Sequence, residues 1–464
     1  MMRDLTGNLD VVIVGGGLAG LTAAALLGGR GLRVAVFERS DTLGGRAATH
    51  LENGFHLNLG PHAWYTGGPG TKILASLGIP IPGRTPQPRG AFALYDDRLH
   101  TLPIGFVSLL TTDLLSLRGK LEAARFLASL PRMDTGAFTG TTIGAWLEDR
   151  IADARTRAVL NMFIRVASYA DAASVQSADA ALYAFQLAVR DNVQYLDGGW
   201  QSLVDALAAA ARARGVHIVH GAPVATILHD GVVRGVRLLD GAEIIAPNVV
   251  LAVPPGPARR ALDAVSPAVT AAWDVTPAKA ACLDLGLARL PRAANTVAFG
   301  VDQPLYYSVH SATAAVAPHG QAMVHVAKYL DPSKPHEAVA VERELEHFLD
   351  RLQPGWRAEV IVRRYLPSMV VNHAIPTPAR GGLRGRVPVR VGELPGLYLA
   401  GDWVGGQGTL ANASLASAAQ AAHLIASRQE PGSLKPEACN LEAETPNLEP
   451  GTRNSRDDDA RLFG

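Results

Sequence analysis

Cysteine is nearly missing from this chain. Cys282 and Cys439 are the two in 464 residues, and neither belongs to a C-x-x-C pair or a Cys/His cluster. A disulfide framework and a structural zinc site are thereby excluded, and a reducing compartment is expected. An excess of one charge is missing too: 43 basic against 42 acidic side chains leave +1, too balanced for the basic footprint of a nucleic-acid binder. Long apolar runs are absent. The nearest, Leu102 to Leu117, is broken by Pro103, Gly105 and Asp113, so it is expected to be amphipathic rather than spanning, and reads either as an ordinary core-facing helix or as a stretch that lines a channel or touches a membrane surface. The first eight residues lack the charged-then-apolar pattern of a secretion signal, so the expectation is a cytoplasmic protein with peripheral contact at the membrane. Lysine is scarce, since Lys72, Lys120, Lys279, Lys328, Lys334 and Lys435 are the six among 43 basic residues; each invites a question. What is abundant is apolar substance: 48% hydrophobic against 18% charged residues, with a mean hydropathy of +0.12. That is enough for a large core, and the length allows up to three domains.

The opening pattern is a β-α-β unit. Val11 to Val14 is a β-branched run, an alanine-rich helix is expected from Leu18 to Arg30, and Arg33 to Phe37 reads as a second strand, which implies a parallel sheet with a right-handed crossover. From 86 to 190, amphipathic segments such as Lys120 to Leu130 and Ala152 to Tyr169 read as a helical insertion. Sheet character returns at His217 to Ile227, in a hairpin of Val232 to Leu238 with Glu243 to Ile245, and at Val249 to Val253. Further strands are expected at Ala280 to Leu287 and Gln321 to Lys328, with a helix at Glu337 to Leu352. The last pair is a strand, Gly396 to Ala400, and a helix from Gly408 to Ser427. Beyond Arg428 the composition turns to Glu, Asp, Pro, Asn and Ser, too polar to repay its ordering entropy, so a disordered tail is expected.

The sharpest motif is Gly15-Gly16-Gly17-Leu18-Ala19-Gly20, a G-x-G-x-x-G between strand and helix. Gly15 suits a tight turn, Gly17 lets a pyrophosphate approach the backbone, and Gly20 lets the helix pack against the sheet, leaving the helix N-terminus facing an anion. About twenty residues on, Glu38, with Arg39 beside it, ends the second strand, where an acidic group accepts the adenosine ribose hydroxyls and repels a 2′-phosphate. Shortly after comes Leu43-Gly44-Gly45-Arg46-Ala47-Ala48-Thr49, a glycine pair ending in a fork-shaped cation suited to phosphate or ring oxygens.

On these residues the chain resembles the flavin amine oxidase and phytoene desaturase superfamily, whose FAD fingerprint joins the glycine turn to a G-G-R-x-x-[ST] segment. Leu399-Ala400-Gly401-Asp402-Trp403 and Gly408-Thr409-Leu410 are similar to its C-terminal FAD segment. The resemblance implies that Asp402 binds the ribitol and that the helix N-terminus faces the flavin pyrimidine, where its dipole would stabilise a reduced flavin. It implies an α/β fold with a discontinuous Rossmann-like FAD-binding domain of the glutathione-reductase type (1–85, 191–265 and 385–427) and a mixed α+β substrate domain (86–190 and 266–384). Val224 matches the position that meets the adenine, and Gly60-Pro61-His62 the stretch beside the isoalloxazine. The loop Asn372 to Pro378 offers no cysteine, so FAD should be noncovalent.

Two residues are candidates for direct chemistry. His62 is placed to hydrogen-bond the flavin or act on substrate, and also reads as a packing histidine at a domain seam. Lys279, heading the strand Lys279 to Leu285, matches the lysine that in amine oxidases of the superfamily holds a water near flavin N5, and also reads as a solvated strand end. Against amine oxidation, the position of one cage aromatic is taken by Thr409. The expected activity is that of a dehydrogenase or desaturase similar to phytoene desaturase relatives, passing a hydride from a hydrophobic substrate to flavin N5 and the electrons onward to oxygen or a quinone. The alternative is an oxidase of amines or of a porphyrinogen-like ring, the latter because Ala374-Ile375-Pro376 resembles protoporphyrinogen oxidases.

Overall fold

A computed structural model describes residues 9–429 apart from 88–89, 263–269 and 271–272; the expected tail falls almost wholly on 430–464, outside the described residues. Two sheets organise the chain. The first is parallel and five-stranded, built from β1 (Val11–Val14), β2 (Val34–Phe37), β5 (His217–Val219), β6 (Asn248–Leu251) and β12 (Leu397–Leu399), in the order β5-β2-β1-β6-β12. Every residue of β1, β2, β6 and β12 is buried, as expected of a parallel sheet covered on both faces. Helix α1 (Leu18–Gly28) is buried along almost its whole length. Its small residues let it lie between the helix Gln201–Arg212 and α6 (Leu410–Gln429).

The second sheet has seven strands: β3 (Ala91–Tyr95), β4 (Arg98–Thr101), β7 (Ala278–Leu287), β8 (Val297–Gly300), β9 (Leu305–Val309), β10 (Ala322–Leu330) and β11 (Val360–Asn372), in the order β11-β7-β10-β9-β8-β3-β4. One face carries Ala281, Leu283, Leu285 and Leu287 and packs under helix α5 (Ala338–Leu352). The other looks toward the first sheet's loops and toward helices α2 (Phe106–Thr111), α3 (Leu117–Ser129) and α4 (Ala154–Ser168) of the insertion. Strand β11 was not foreseen from the sequence. Pro367 interrupts its pattern, and the strand accommodates it as an edge, with a register shift between its pairings to Ala280 and Cys282, where a missing N–H costs the ladder least.

Candidate functional site

The glycine turn between β1 and α1 uses its three glycines for different reasons. Gly15 has φ +108°, and a methyl there would stand 2.6 Å from the Ala252 carbonyl oxygen. A methyl on Gly20 would overlap the carbonyl oxygen of Gly15, so α1 rides directly on the turn. Gly17 is the N-cap of α1 at φ −83°, and a methyl there would find nothing nearer than the Gly44 carbonyl at 3.7 Å. The chain's own packing therefore gives no reason for glycine at 17. The cap has no side chain on the first helical amides, so the positive end of α1 faces an open strip of backbone.

Glu38 closes one side of this strip. Its Oε2 accepts from the Gly16 N–H at 2.7 Å and its Oε1 from the Ser40 N–H at 2.9 Å, while Arg39 is exposed. The segment leading to Val224 lies against the same corner, Ala222 N–H donating to the Glu38 carbonyl at 2.9 Å, and Val224 opens the strand Val224–His229. Leu18 and Ala19 are buried. The second glycine pair borders the turn: Gly44 donates to the Gly16 carbonyl at 2.9 Å, Gly44 and Gly45 both have positive φ, and a methyl on Gly45 would meet nothing within 4 Å.

Arg46 and Asp402, which the resemblance assigned separately to the cofactor, meet each other. The guanidinium grips the carboxylate in bidentate fashion, Nη1 to Oδ2 and Nη2 to Oδ1 both at 2.9 Å, and Nη1 also donates to the Val371 carbonyl at 2.7 Å. His373 adds its backbone N–H to Oδ2 at 3.0 Å and its Nδ1 to Oδ1 at 2.8 Å. Burial would push the Asp402 carboxyl up, but Arg46 and His373 outweigh it and hold it well below the usual carboxylate range. With four donors on two oxygens the carboxylate's acceptor sites are filled. Asp402 thus ties the Gly44–Arg46 corner to the end of β11 and the start of the final segment.

That segment is fixed by Arg386, which the sequence reading missed. Its buried guanidinium donates to the carbonyls of Asp402, Gln407 and Gly408 at 3.0, 2.9 and 2.8 Å, and burial lowers it to about 10. Gly401 and Gly408 have positive φ, as does Leu410 at φ +53°, unusual outside glycine. Thr409 and Leu410 are half-buried at the start of α6. Asn412 takes the Gly70 N–H at 2.7 Å and donates to the Tyr65 carbonyl at 3.2 Å.

Gly60 has φ +77°, and a methyl there would press on the Cys282 sulfur at 2.8 Å and on Met369. The Gly60-Pro61-His62 stretch therefore lies against the inner face of β7 and β11. His62 is half-buried, with Nδ1 3.0 Å from the Gly60 carbonyl and its ring edge toward Trp200 at 5.1 Å. Burial lowers it to about 4, so it is neutral at pH 7. Around this stretch Tyr65, Tyr169, Tyr306 and Tyr329 pack into an aromatic cluster with Cys282, Met369 and Leu410. Burial raises all four phenols, so the cluster carries no phenolate. Four separate elements bring these tyrosines together, and no local spacing announced them.

Lys279 requires a correction. Side chains alternate along a strand, and Ala280 and Cys282 are the ones that join the cluster. Lys279 is exposed and shares its side of β7 with Ala281 and Leu283, which pack under α5. A one-residue difference in register sends it away from the site.

The open backbone over Gly17 and Gly45, the positive end of α1, and the acid at Glu38 suit an extended dinucleotide, and the neutral aromatic cluster beside Gly60 offers a surface suited to a flat ring system. These features fit FAD. Comparison with known proteins agrees. Residues 18–283 match the family model "Flavin containing amine oxidoreductase". The chain is 29% identical over 305 residues to hydroxyneurosporene desaturase of Rubrivivax gelatinosus, a stretch that covers 56% of this chain and 57% of that one. It is 31% identical over 163 residues to coproporphyrinogen III oxidase of Propionibacterium freudenreichii subsp. freudenreichii, covering 32% and 30%. The chain thus spans little more than half of the first relative's length and about a third of the second's. In fold it is similar to an oxidoreductase from Methanosarcina mazei at TM-score 0.70, 21% identical, with 89% of this chain and 99% of that one covered. The chain belongs to the flavin containing amine oxidoreductase family, and its cofactor is FAD.

Proposed function

We propose that this chain is a dehydrogenase that oxidises a C–H bond of a hydrophobic substrate at noncovalently bound FAD. The observation that carries the reading is the wall of neutral phenols and apolar side chains beside Gly60-Pro61-His62, against which a substrate would bind by shape and aromatic contact. The flavin supplies an acceptor for two electrons and one hydrogen. The chain supplies position. Gly17 and the amides of α1 would hold the pyrophosphate; Glu38 and Val224 would hold the adenosine end; Gly44, Gly45 and the Arg46–Asp402 knot would shape the middle; and Gly401, Gly408, Thr409 and Leu410 would present the start of α6 to the pyrimidine. His62 would meet the flavin as a neutral ring. The domains divide as 1–85, 191–265 and 385–427 for FAD and 86–190 and 266–384 for substrate.

The substrate class is tested by anaerobic mixing of the yellow holoenzyme with an acyclic polyene, a primary amine and a porphyrinogen. Bleaching by the polyene alone supports the dehydrogenase; bleaching by the amine with hydrogen peroxide release under air would overturn it in favour of an oxidase. That second reading draws on the hydroxyl of Tyr306, which lies 3.3 Å from that of the neighbouring Tyr195.

We also assign the protein to the cytoplasm with a lipid-facing patch. No helix among the described residues is long and apolar enough to cross a membrane. Phe106, Val107 and Leu117 are 68%, 72% and 85% exposed, with Ile104, Leu110 and Leu121 exposed beside them. Arg118, Lys120 and Arg125 lie on the same helix α3, the side-chain arrangement of an interfacial surface. Co-sedimentation with anionic but not neutral vesicles, lost in F106S/V107S, is the expected result; equal recovery of both proteins with vesicles removes the assignment.

A further inference from the structure

A row of polar side chains crosses the inner face of the seven-stranded sheet beside the Asn58–Gly60 segment. Arg364 on β11, Asp284 on β7, His325 on β10 and Ser308 on β9 are successive cross-strand partners. Asp284 and His325 are fully buried. His325 Nδ1 lies 2.6 Å from Asp284 Oδ1, and the Arg364 guanidinium reaches Asp284 Oδ2 at 2.6 Å through Nη2 and also donates to the Asn58 carbonyl. A carboxylate on Nδ1 selects the tautomer with the proton there and leaves Nε2 as the basic nitrogen. That Nε2 is buried and has no hydrogen-bond partner, and the same is true of Nε2 on the adjoining His310, whose ring lies 4.4 Å away between centroids.

An unsatisfied buried polar atom is destabilising, so two side by side call for a reason. Their position suggests one. The row sits next to the row of Cys282, Ala327 and Tyr306, which belongs to the cluster and on which Gly60 rests. Tyr195 stacks on His310 with centroids 3.9 Å apart and points its hydroxyl toward that of Tyr306. The groups facing His325 are therefore Asp284 and Cys282 from β7, Arg364 from β11, Tyr306 from β9, His310 just beyond β9, Tyr195 from Val193–Leu196, and His62 across the seam. Asp284 and Arg364 apart, these face it uncharged at neutral pH.

We propose that His325, oriented by Asp284, is the residue that holds the proton released when the substrate is oxidised. In a dehydrogenation the substrate loses two electrons and two hydrogens. The electron pair leaves with one hydrogen to the flavin, and the other hydrogen leaves as a proton that ends on His325 Nε2. The resulting imidazolium shares the Asp284 carboxylate with Arg364, so the row gains one net positive charge on protonation. Arg364 keeps Asp284 ionised and fastens the pair to the Asn58–Gly60 segment. This inference rests on flavin reduction, and it deepens the proposed reaction without depending on which substrate is used.

The test uses dithionite-reduced holoenzyme and no substrate. Each proton taken up per two electrons adds about 30 mV per pH unit to the slope of the midpoint potential, because a tenfold change in proton activity is worth that much to a two-electron couple. The wild type should be steeper than H325Q by about one such proton over part of the pH range measured, with D284N intermediate. In addition, ¹⁵N-histidine spectra of the wild type should show one buried Nε2 pass from the bare to the protonated position on reduction. Equal slopes in wild type and H325Q, or no histidine signal changing on reduction, would overturn the proposal even if the variants fold poorly. A protein that binds no flavin at all would instead defeat the functional reading on which it rests.

Discussion

Gly17→Ala should separate folding from cofactor binding. In the apo-protein, alanine at 17 meets no atom nearer than 3.7 Å and inherits φ −83° and ψ −175°, an extended conformation any residue adopts. The entropy gained from a less flexible unfolded chain is about 0.4–1 kcal/mol, and the loss of glycine at an N-cap, where alanine is poor, is of similar size and opposite sign. Apo stability should therefore change by less than about 1 kcal/mol. The same methyl occupies the open space over the amides of α1, where a pyrophosphate must approach within hydrogen-bond distance, so FAD affinity should fall by at least about a hundredfold, or about 2.7 kcal/mol. Gly20→Ala is the control with opposite logic: its methyl overlaps the Gly15 carbonyl, so α1 must shift and the apo-protein itself should lose about 1–3 kcal/mol, as overpacked sites do. Urea unfolding of both apo-proteins, with FAD titration by flavin fluorescence quenching, gives the two numbers. If G17A retained FAD within threefold of wild type, or destabilised the apo-protein as much as G20A, the reasoning about the open strip would be wrong.

Arg46→Met should strand a carboxylate that is 1% exposed. Breaking a buried pair costs about 3–5 kcal/mol, here reduced toward about 2 because His373 remains and the Arg46 side chain is 37% exposed. The Asp402 carboxyl is depressed in the folded protein, so its stabilisation is complete above the unfolded carboxylate range near ~4 and fades as pH falls below it; R46M should lose stability at neutral pH and move the acid unfolding midpoint upward, read by circular dichroism. Lys279→Met should leave flavin reduction and FAD content within twofold of wild type, since the side chain is exposed under the opposite face of β7; a tenfold loss in stopped-flow reduction would return it to the active site. Arg386→Met should release most of its FAD on gel filtration while keeping the fold, because the carbonyls of Asp402, Gln407 and Gly408 lose their common donor.

The parts of this molecule that were readable in the sequence are those in which chemistry depends on neighbours along the chain. The turn at Gly15–Gly20, the acid at Glu38 and the Gly44-Gly45-Arg46 corner are local, and the structure puts them at one corner of the parallel sheet. The β-α-β unit and the hairpin Val233–Leu238 with Glu243–Ile245 were likewise legible from periodicity. What depends on side-chain direction or on distant pairing was not. Lys279 had the right strand and the wrong face, a distinction of one residue that periodicity in a strand apolar on both sides cannot supply. Strand β11 was hidden by Pro367, and Arg386 carries no local motif, since the carbonyls it holds lie 16 to 22 residues further along the chain.

The same limit explains why the functional question shifted from one residue to a surface. The sequence directed attention to a single lysine as the discriminator between amine oxidation and hydride removal from an apolar carbon. With Lys279 under the other face, the discriminating property becomes the protonation state of the inner face of the second sheet. Tyr65, Tyr169, Tyr306 and Tyr329 are all held neutral by burial, and His62 and His310 are pushed toward the neutral form by the same cause. Asp284 is the one carboxylate of that face's charged row, and Arg364 and His325 both engage it. A cationic amine brought against this cluster would lose its hydration without finding a free counter-charge, a cost of several kcal/mol that the tyrosine faces offset only in part; an apolar substrate would bear no such cost. Electrostatics on the inner face of β7 and β10, rather than any single catalytic side chain, is what favours the dehydrogenase.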